Sequence, residues 1–296
     1  MTDTTATIKS SSAKARPSSY GKIDFTTPKG EPALTAPDSV SWQVFKNPVS
    51  LFIGGITAVL LEFAEPGVRS GVWDHSSFRR EPLARMQRTG LAAMLTVYGP
   101  RSKTEPMIAG VRHIHARVVG TTPDGEPYHA NDTALLDWVQ ATASFGFLEA
   151  YSAFVRPVGD ADKDKFYAEA APSARLYGAT GAPTSRAELN AQFEAIRPKL
   201  ERSDIVFEFL DIMLRTPILP GPLKPVQRLL VRAAVEIAPQ WVRDILGLGP
   251  EWGLKSWEAR LVRIAGALAD RIPIPSSPAS QSCRRMGLSS FYLYTR

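Results

Sequence analysis

Apolar residues along this chain recur mostly three and four positions apart, the period of helices packed by one face, and seldom alternate as strands do. The segment from Pro48 to Ala64, opened by Asn47-Pro48, is apolar almost all round, which is the pattern of a helix at the centre of a fold. Arg85 to Gly120 reads as two helices broken at Gly99-Pro100, the second spanning 104 to 118. Asn131 or Asp132 caps a long helix to about Val155, whose broad buried face carries Leu135, Val139, Thr142 and Gly146. A short charged helix from Asp160 to Ala171 follows, then a loop from Pro172 to Pro183. Ser185 and Glu188 form a capping box for Arg186 to Glu201, and Ser203 caps the strongly apolar Asp204 to Leu214.

Beyond a proline-rich connector, Lys224, Arg228 and Arg232 recur every fourth residue opposite Val226, Leu229, Ala233 and Ile237. A final helix runs from about Lys255 to Ile272. The one sheet signal is Val118-Val119 and Tyr128 to Ala130 flanking the turn Pro123-Asp124-Gly125. The pattern predicts an all-α fold: one multi-helix domain over residues 41–272 with a small β-hairpin. A disordered Ser/Thr/Pro-rich tail of residues 1–40 is expected before it, and an unstructured tail of residues 273–296 after it.

Composition narrows the function. At 296 residues and 44% hydrophobic content, the chain can bury one large core. Its single cysteine, Cys283, excludes an intrachain disulfide framework or a thiolate cluster. The net charge of +6 is spread along the chain without an aromatic-interleaved basic block, so nucleic acid is not expected as a partner. No secretory signal pattern opens the sequence, and the uncharged run Val49 to Leu61 is shorter than the ~20 residues needed to span a bilayer. A cytoplasmic protein is the expectation, with peripheral membrane contact through the basic face of Lys224, Arg228 and Arg232.

Candidate chemistry concentrates between Arg85 and Gly120. In a helix over 104 to 118, Ile108, Val111, His115 and Val118 share one face, so His115 points where the apolar residues point. His113 is rotated by about 200° from it and falls with Ala109, Gly110 and Arg117, so the pair cannot chelate one metal from a helix. Two roles are open to His115: a core histidine bonded to a carbonyl, or an axial metal or haem ligand. On the preceding helix, Arg85 and Thr89 align with Ala92, Ala93 and Thr96. That small face admits either a flat cofactor, its carboxylate bound by the arginine, or a neighbouring helix. Glu62 and Glu65, at the end of the apolar helix, are candidates for a general base. Asp74-His75-Ser76 is no triad, because adjacent side chains diverge, and the chain has no G-x-S-x-G elbow.

The runs GVWDHSSFRREPLARMQRT (Gly71 to Thr89), VRHIHARVVGTTPDGEPYHAND (Val111 to Asp132) and LLDWVQAT (Leu135 to Thr142) resemble the oxygenase MpaB family, which includes the catalytic domain of bacterial rubber oxygenase. In order and spacing the resemblance covers roughly residues 40 to 240. It implies an all-helical domain holding haem b, with His115 as the proximal iron ligand and Arg85 and Thr89 beside the haem. The apolar helix from Pro48 would lie over the distal side. Many relatives carry His in a W-V-H-A helix where this chain has Gln140, so no ligand or proton-carrier role is carried over to that position.

The resemblance therefore implies a haem b-dependent oxygenase that uses dioxygen to oxidise, or to cleave a C=C bond of, an apolar isoprenoid or lipid-like substrate. The alternative is a non-catalytic helical protein, either a haem binder or a membrane-surface binding module. A haem carrier would fill the sixth iron position with a second protein ligand, for which His75 is the main candidate, since His129 sits by the hairpin.

Overall fold

The computed structural model describes residues 23–295. Their order is α1 (Val40–Val44), α2 (Pro48–Glu62), α3 (Pro66–His75), α4 (Pro82–Tyr98), α5 (Arg101–His115), β1 (Val119–Thr121), β2 (Pro127–His129), α6 (Thr133–Phe154), α7 (Asp160–Tyr177), α8 (Arg186–Ile196), α9 (Asp204–Arg215), α10 (Lys224–Ile237), α11 (Gln240–Leu246), α12 (Ser256–Ala269) and α13 (Pro278–Arg285). The fold is all-α with one small hairpin, in which Val119 pairs His129 and Gly120 pairs Tyr128. Among the described residues, no single helix is long and apolar enough to cross a membrane.

α2 is the central helix. Its start is fixed by Asn47, whose side-chain oxygen accepts from the Val49 and Ser50 amides while Pro48 occupies the first helical position. It packs on α6, α10 and α12. The α2–α6 crossing is close because Gly54 meets Gly146: a Cβ on Gly54 would lie 2.7 Å from the Gly146 carbonyl oxygen. Thr57 donates to the Ala234 carbonyl of α10 at 2.9 Å, a polar contact in an otherwise apolar interface. On the other side, α4 packs on α1, α5 and α13, and α5 packs on α7.

Several helix boundaries differ from the sequence expectation: α8 ends at Ile196 rather than Glu201, with a tighter turn over Arg197–Lys199, and α12 ends at Ala269 rather than Ile272. The charged helix does not stop at Ala171. α7 continues through Pro172 to Tyr177 and ends on Gly178 at φ 98°. A proline forfeits one helical hydrogen bond, and burial of Ser173 and Ala174 offsets that loss. α5 starts at Arg101 and ends on His115, so Val118 lies beyond the helix and its amide bonds the His115 carbonyl.

The expected tails are the larger correction. Residues 1–22 lie outside the described residues, but residues 23–40 are packed, with Phe25 and Ala33 buried. Residues 273–295 are not unstructured either. Ser277 caps α13, and Pro278, which reads as a breaker, is its first residue. The Arg285 side chain is buried and donates to the main-chain carbonyls of Glu31 at 2.9 Å, Phe25 at 2.8 Å and Tyr98 at 2.6 Å. Further along, Lys46 donates to the Leu293 carbonyl at 2.7 Å and pairs with Asp270 at 3.3 Å. Both terminal segments are thus tied to the end of α4 and the start of α2 by side-chain-to-carbonyl bonds, which leave no hydrophobic period to read.

Arg285→Met is expected to leave the Phe25 and Glu31 carbonyls unpaired, the Tyr98 carbonyl keeping the Ser282 hydroxyl, and to cost about 3 kcal/mol, read as a lower urea midpoint at unchanged m-value. An unchanged midpoint would refute this account of the clasp.

Candidate active site

Three helix termini and the hairpin bring the candidate residues together. Glu62 is the last residue of α2, His115 the last of α5, and Arg85 lies in the first turn of α4. Arg85 is within electrostatic reach of both Glu62 and His115, and His115 of His129. The Arg85 guanidinium donates to the Thr89 hydroxyl at 2.6 Å, and that hydroxyl donates back to the Arg85 carbonyl at 3.0 Å. The bond joins residues one turn apart on the same helix, so it fixes the arginine's direction without help from another element.

Burial dominates the electrostatics. It pushes the Glu62 carboxyl up to about 7, with Arg85 pulling the other way. It lowers the Arg85 guanidinium, which Glu62 partly restores. It also lowers His115, and the positive Arg85 and nearby His129 act in the same direction, so the imidazole is neutral at pH 7. His115 Nδ1 is buried and hydrogen-bonds nothing.

The surroundings are apolar and only half closed. On α2, Leu51, Phe52, Gly55, Val59 and Glu62 are half-exposed, whereas Ile53, Ile56, Leu60 and Leu61 are buried. Phe52, Gly55, Val59 and Glu62 follow helical spacing, so one stripe of the central helix remains accessible and ends in the carboxylate. On α6, Leu135, Val139, Ala143 and Phe147 are half-exposed at the same spacing, and the Phe147 ring lies beside Gly55. The two stripes give the site an apolar wall with one titratable group at its edge.

Other sequence candidates fall elsewhere. Glu65 is consumed as the N-cap of α3, its carboxylate accepting from the Val68 amide at 2.6 Å. His113 is exposed and bonds Arg117 at 2.9 Å, on the outward face where Ala109 and Gly110 also lie. His75 is exposed and packs edge-on to Tyr128, with ring centroids 6.4 Å apart. The Gln140 amide is bonded to Ser144 at 3.1 Å. Arg232 pairs with Glu258 at 2.6 Å and donates to the Gly253 carbonyl, so only Lys224 and Arg228 of the basic face remain exposed.

The residue that periodicity missed is His129. The hairpin returns the chain so that Ala130 bonds Val118, three residues after His115, and His129 arrives beside the end of α5. The His129 ring is oriented by the Asn131 amide, which donates to its Nδ1 at 3.1 Å. The turn Pro123-Asp124-Gly125 carried the signal, because an antiparallel hairpin must bring its two ends together.

An all-α domain with a half-buried Glu-Arg-His cluster against an apolar wall defines the class of site. Residues 42–270 match the family described as ER-bound oxygenase mpaB/B'/Rubber oxygenase, catalytic domain, and the chain belongs to that family. The matched region runs from α1 to just past α12, leaving α13 outside it. No match was found among curated proteins or solved structures.

Proposed function

We propose that this chain is a haem b-dependent oxygenase that uses dioxygen to oxidise, or cleave a C=C bond of, an apolar isoprenoid or lipid-like substrate. The observation that carries the reading is His115, a neutral imidazole with a buried, unpartnered Nδ1 at the end of α5. A neutral histidine with an uncommitted ring is what iron ligation requires, so the residues present fit the group. His115 would hold the iron, and Arg85, oriented by Thr89, would bind the carboxylate edge of the macrocycle. Bound haem b supplies the redox-active iron at which dioxygen is activated.

The chain's own residues do the rest. Phe52 and Val59 of α2, with Val139 and Phe147 of α6, seat an apolar substrate and exclude water from it. Glu62, poised between its protonated and ionised forms near pH 7, accepts a proton from the substrate at a carboxylate oxygen. Arg85 stabilises the ionised form of Glu62 once the proton has been passed on.

The test is the absorption spectrum of the protein after haem b reconstitution, then after dithionite and carbon monoxide. A Soret band that moves with carbon monoxide supports an oxygenase with an accessible coordination position. A Soret band that carbon monoxide leaves unmoved would favour a second reading, a haem carrier with two protein ligands. His129 beside His115 is the observation that favours it. A protein that takes up no haem overturns both.

A further inference from the structure

The most exposed apolar surface lies on α12, far along the chain from the candidate site residues. Trp257, Leu261, Ile264 and Leu268 are between 46% and 59% exposed, and Ile272 and Ile274 continue the edge past the helix end. Their spacing of four, three and four residues puts them on one face, opposite the buried Glu258, Val262 and Gly266. Other exposed large apolar residues, among them Ile114, Leu223 and Phe291, do not form such a row, and a row of large apolar side chains turned outward calls for a partner.

The charges around the row identify that partner. Lys255, Arg260, Arg263 and Arg271 are all exposed beside it. The two carboxylates in this stretch both turn inward: Glu258 pairs with Arg232, and Asp270 with Lys46. The outward face therefore carries apolar and cationic side chains with no acid. Trp257 at one end is suited to the boundary between headgroups and acyl chains. A second copy of this chain would suit the spacing but not the charge, because a two-fold contact would oppose arginines to arginines with no carboxylate between them. The sequence of residues 1–22 does not complement the face either. Apart from Met1, their large apolar residues are Ile8 and Tyr20, and Lys9, Lys14, Arg16 and Lys22 repeat its charge.

We propose that the outward face of α12 is an interfacial helix surface that seats this protein on an anionic lipid bilayer. It is distinct from the basic face of α10, where Arg232 is already committed. The interaction is independent of the oxygenase reading. Trp257, Leu261, Ile264 and Leu268 enter the headgroup–acyl boundary, while Arg260 and Arg271 meet lipid phosphates.

The experiment is flotation with phosphatidylcholine vesicles and with vesicles of phosphatidylcholine and phosphatidylglycerol in equal parts, with tryptophan emission recorded in parallel. Wild type is expected to float with the anionic vesicles, less so at high salt, with a blue shift in emission. Trp257→Phe should lose most of that shift yet still bind, because the other five tryptophans are buried or half-buried. Leu261→Asp with Ile264→Asp should lower partitioning by about a hundredfold without changing the circular dichroism or haem uptake. Arg260→Glu should weaken binding to anionic vesicles more than to neutral ones. The proposal is overturned if wild type fails to float, if the double variant binds as wild type does, or if sedimentation shows a dimer that the double variant dissociates without vesicle binding.

Discussion

His115→Ala is expected to keep the helical fold and lose the Soret band, with haem affinity falling by more than about a hundredfold. The substitution deletes an imidazole whose Nδ1 is buried without a partner, so the apo protein loses no hydrogen bond. Relief of that desolvated atom makes the variant equal to or slightly more stable than wild type, by about 1 kcal/mol at most. A structural histidine would behave in the opposite way, costing stability and leaving the spectrum alone. His129→Ala is the matching control, since His129 is near His115 but its Nδ1 is already bonded by Asn131. Restoration of the band in His115→Gly by added imidazole would assign the ligand directly. A wild-type spectrum in His115→Ala would remove this residue from the site and with it the proposed function.

Glu62→Gln is expected to separate stability from activity. Desolvation at the end of α2, where the side chain is half-buried, pushes the carboxyl in the folded protein up to about 7 from an ordinary value of 4.5. A folded-state value above the unfolded one means that the native protein holds the proton more tightly. Its contribution to stability is therefore fully present below pH 4.5 and is lost as pH rises through about 7. Glutamine resembles the protonated carboxyl in shape and charge, so the variant should match wild type at low pH and exceed it at pH 8 by up to about 3 kcal/mol. Urea denaturation at the two pH values checks this.

Activity should move the other way. Glutamine cannot accept a proton, so dioxygen uptake with an unsaturated isoprenoid lipid should fall about 10²- to 10⁴-fold. The rise of wild-type activity through pH 7, as Glu62 ionises, should disappear. A variant equally active at every pH would exclude Glu62 from proton transfer, while unchanged stability at pH 8 would show that the carboxyl is not desolvated.

Stability and function meet in the same placement. Ending the central apolar helix on a carboxylate is costly to the fold and gains a group that titrates at neutral pH. Glu65, three residues on, shows the contrast. It lies outside α2 and spends its carboxylate on the α3 amide, so it serves only the chain reversal. The sequence offers both glutamates on equal terms, and the direction of the helix end separates them.

Periodicity alone determined the all-α class, the central helix and the face of α5. The all-round apolar run made α2 central, and helical spacing put His115 inward with Ile108 and His113 outward with Arg117. Capping chemistry fixed starts at Asn47, Ser185 and Ser203, because a side-chain oxygen bonding amides two or three residues on is a local event. Family motifs, also local, pointed to Arg85 and Thr89, whose bond lies within one turn.

What only the tertiary structure decided were the long-range meetings. Glu62, Arg85 and His115 lie on three different helices, and His129 reaches them through a hairpin. The order of both terminal segments depends on Arg285 finding carbonyls at Phe25, Glu31 and Tyr98, partners hundreds of residues away that no window along the chain contains. The outward row on α12 has the same origin. Its spacing marks an apolar face, but the buried side is the one that lays Gly266 against α6 and pairs Glu258 with Arg232. Local physics sets which residues share a face. Which face is covered depends on what the rest of the chain brings against it.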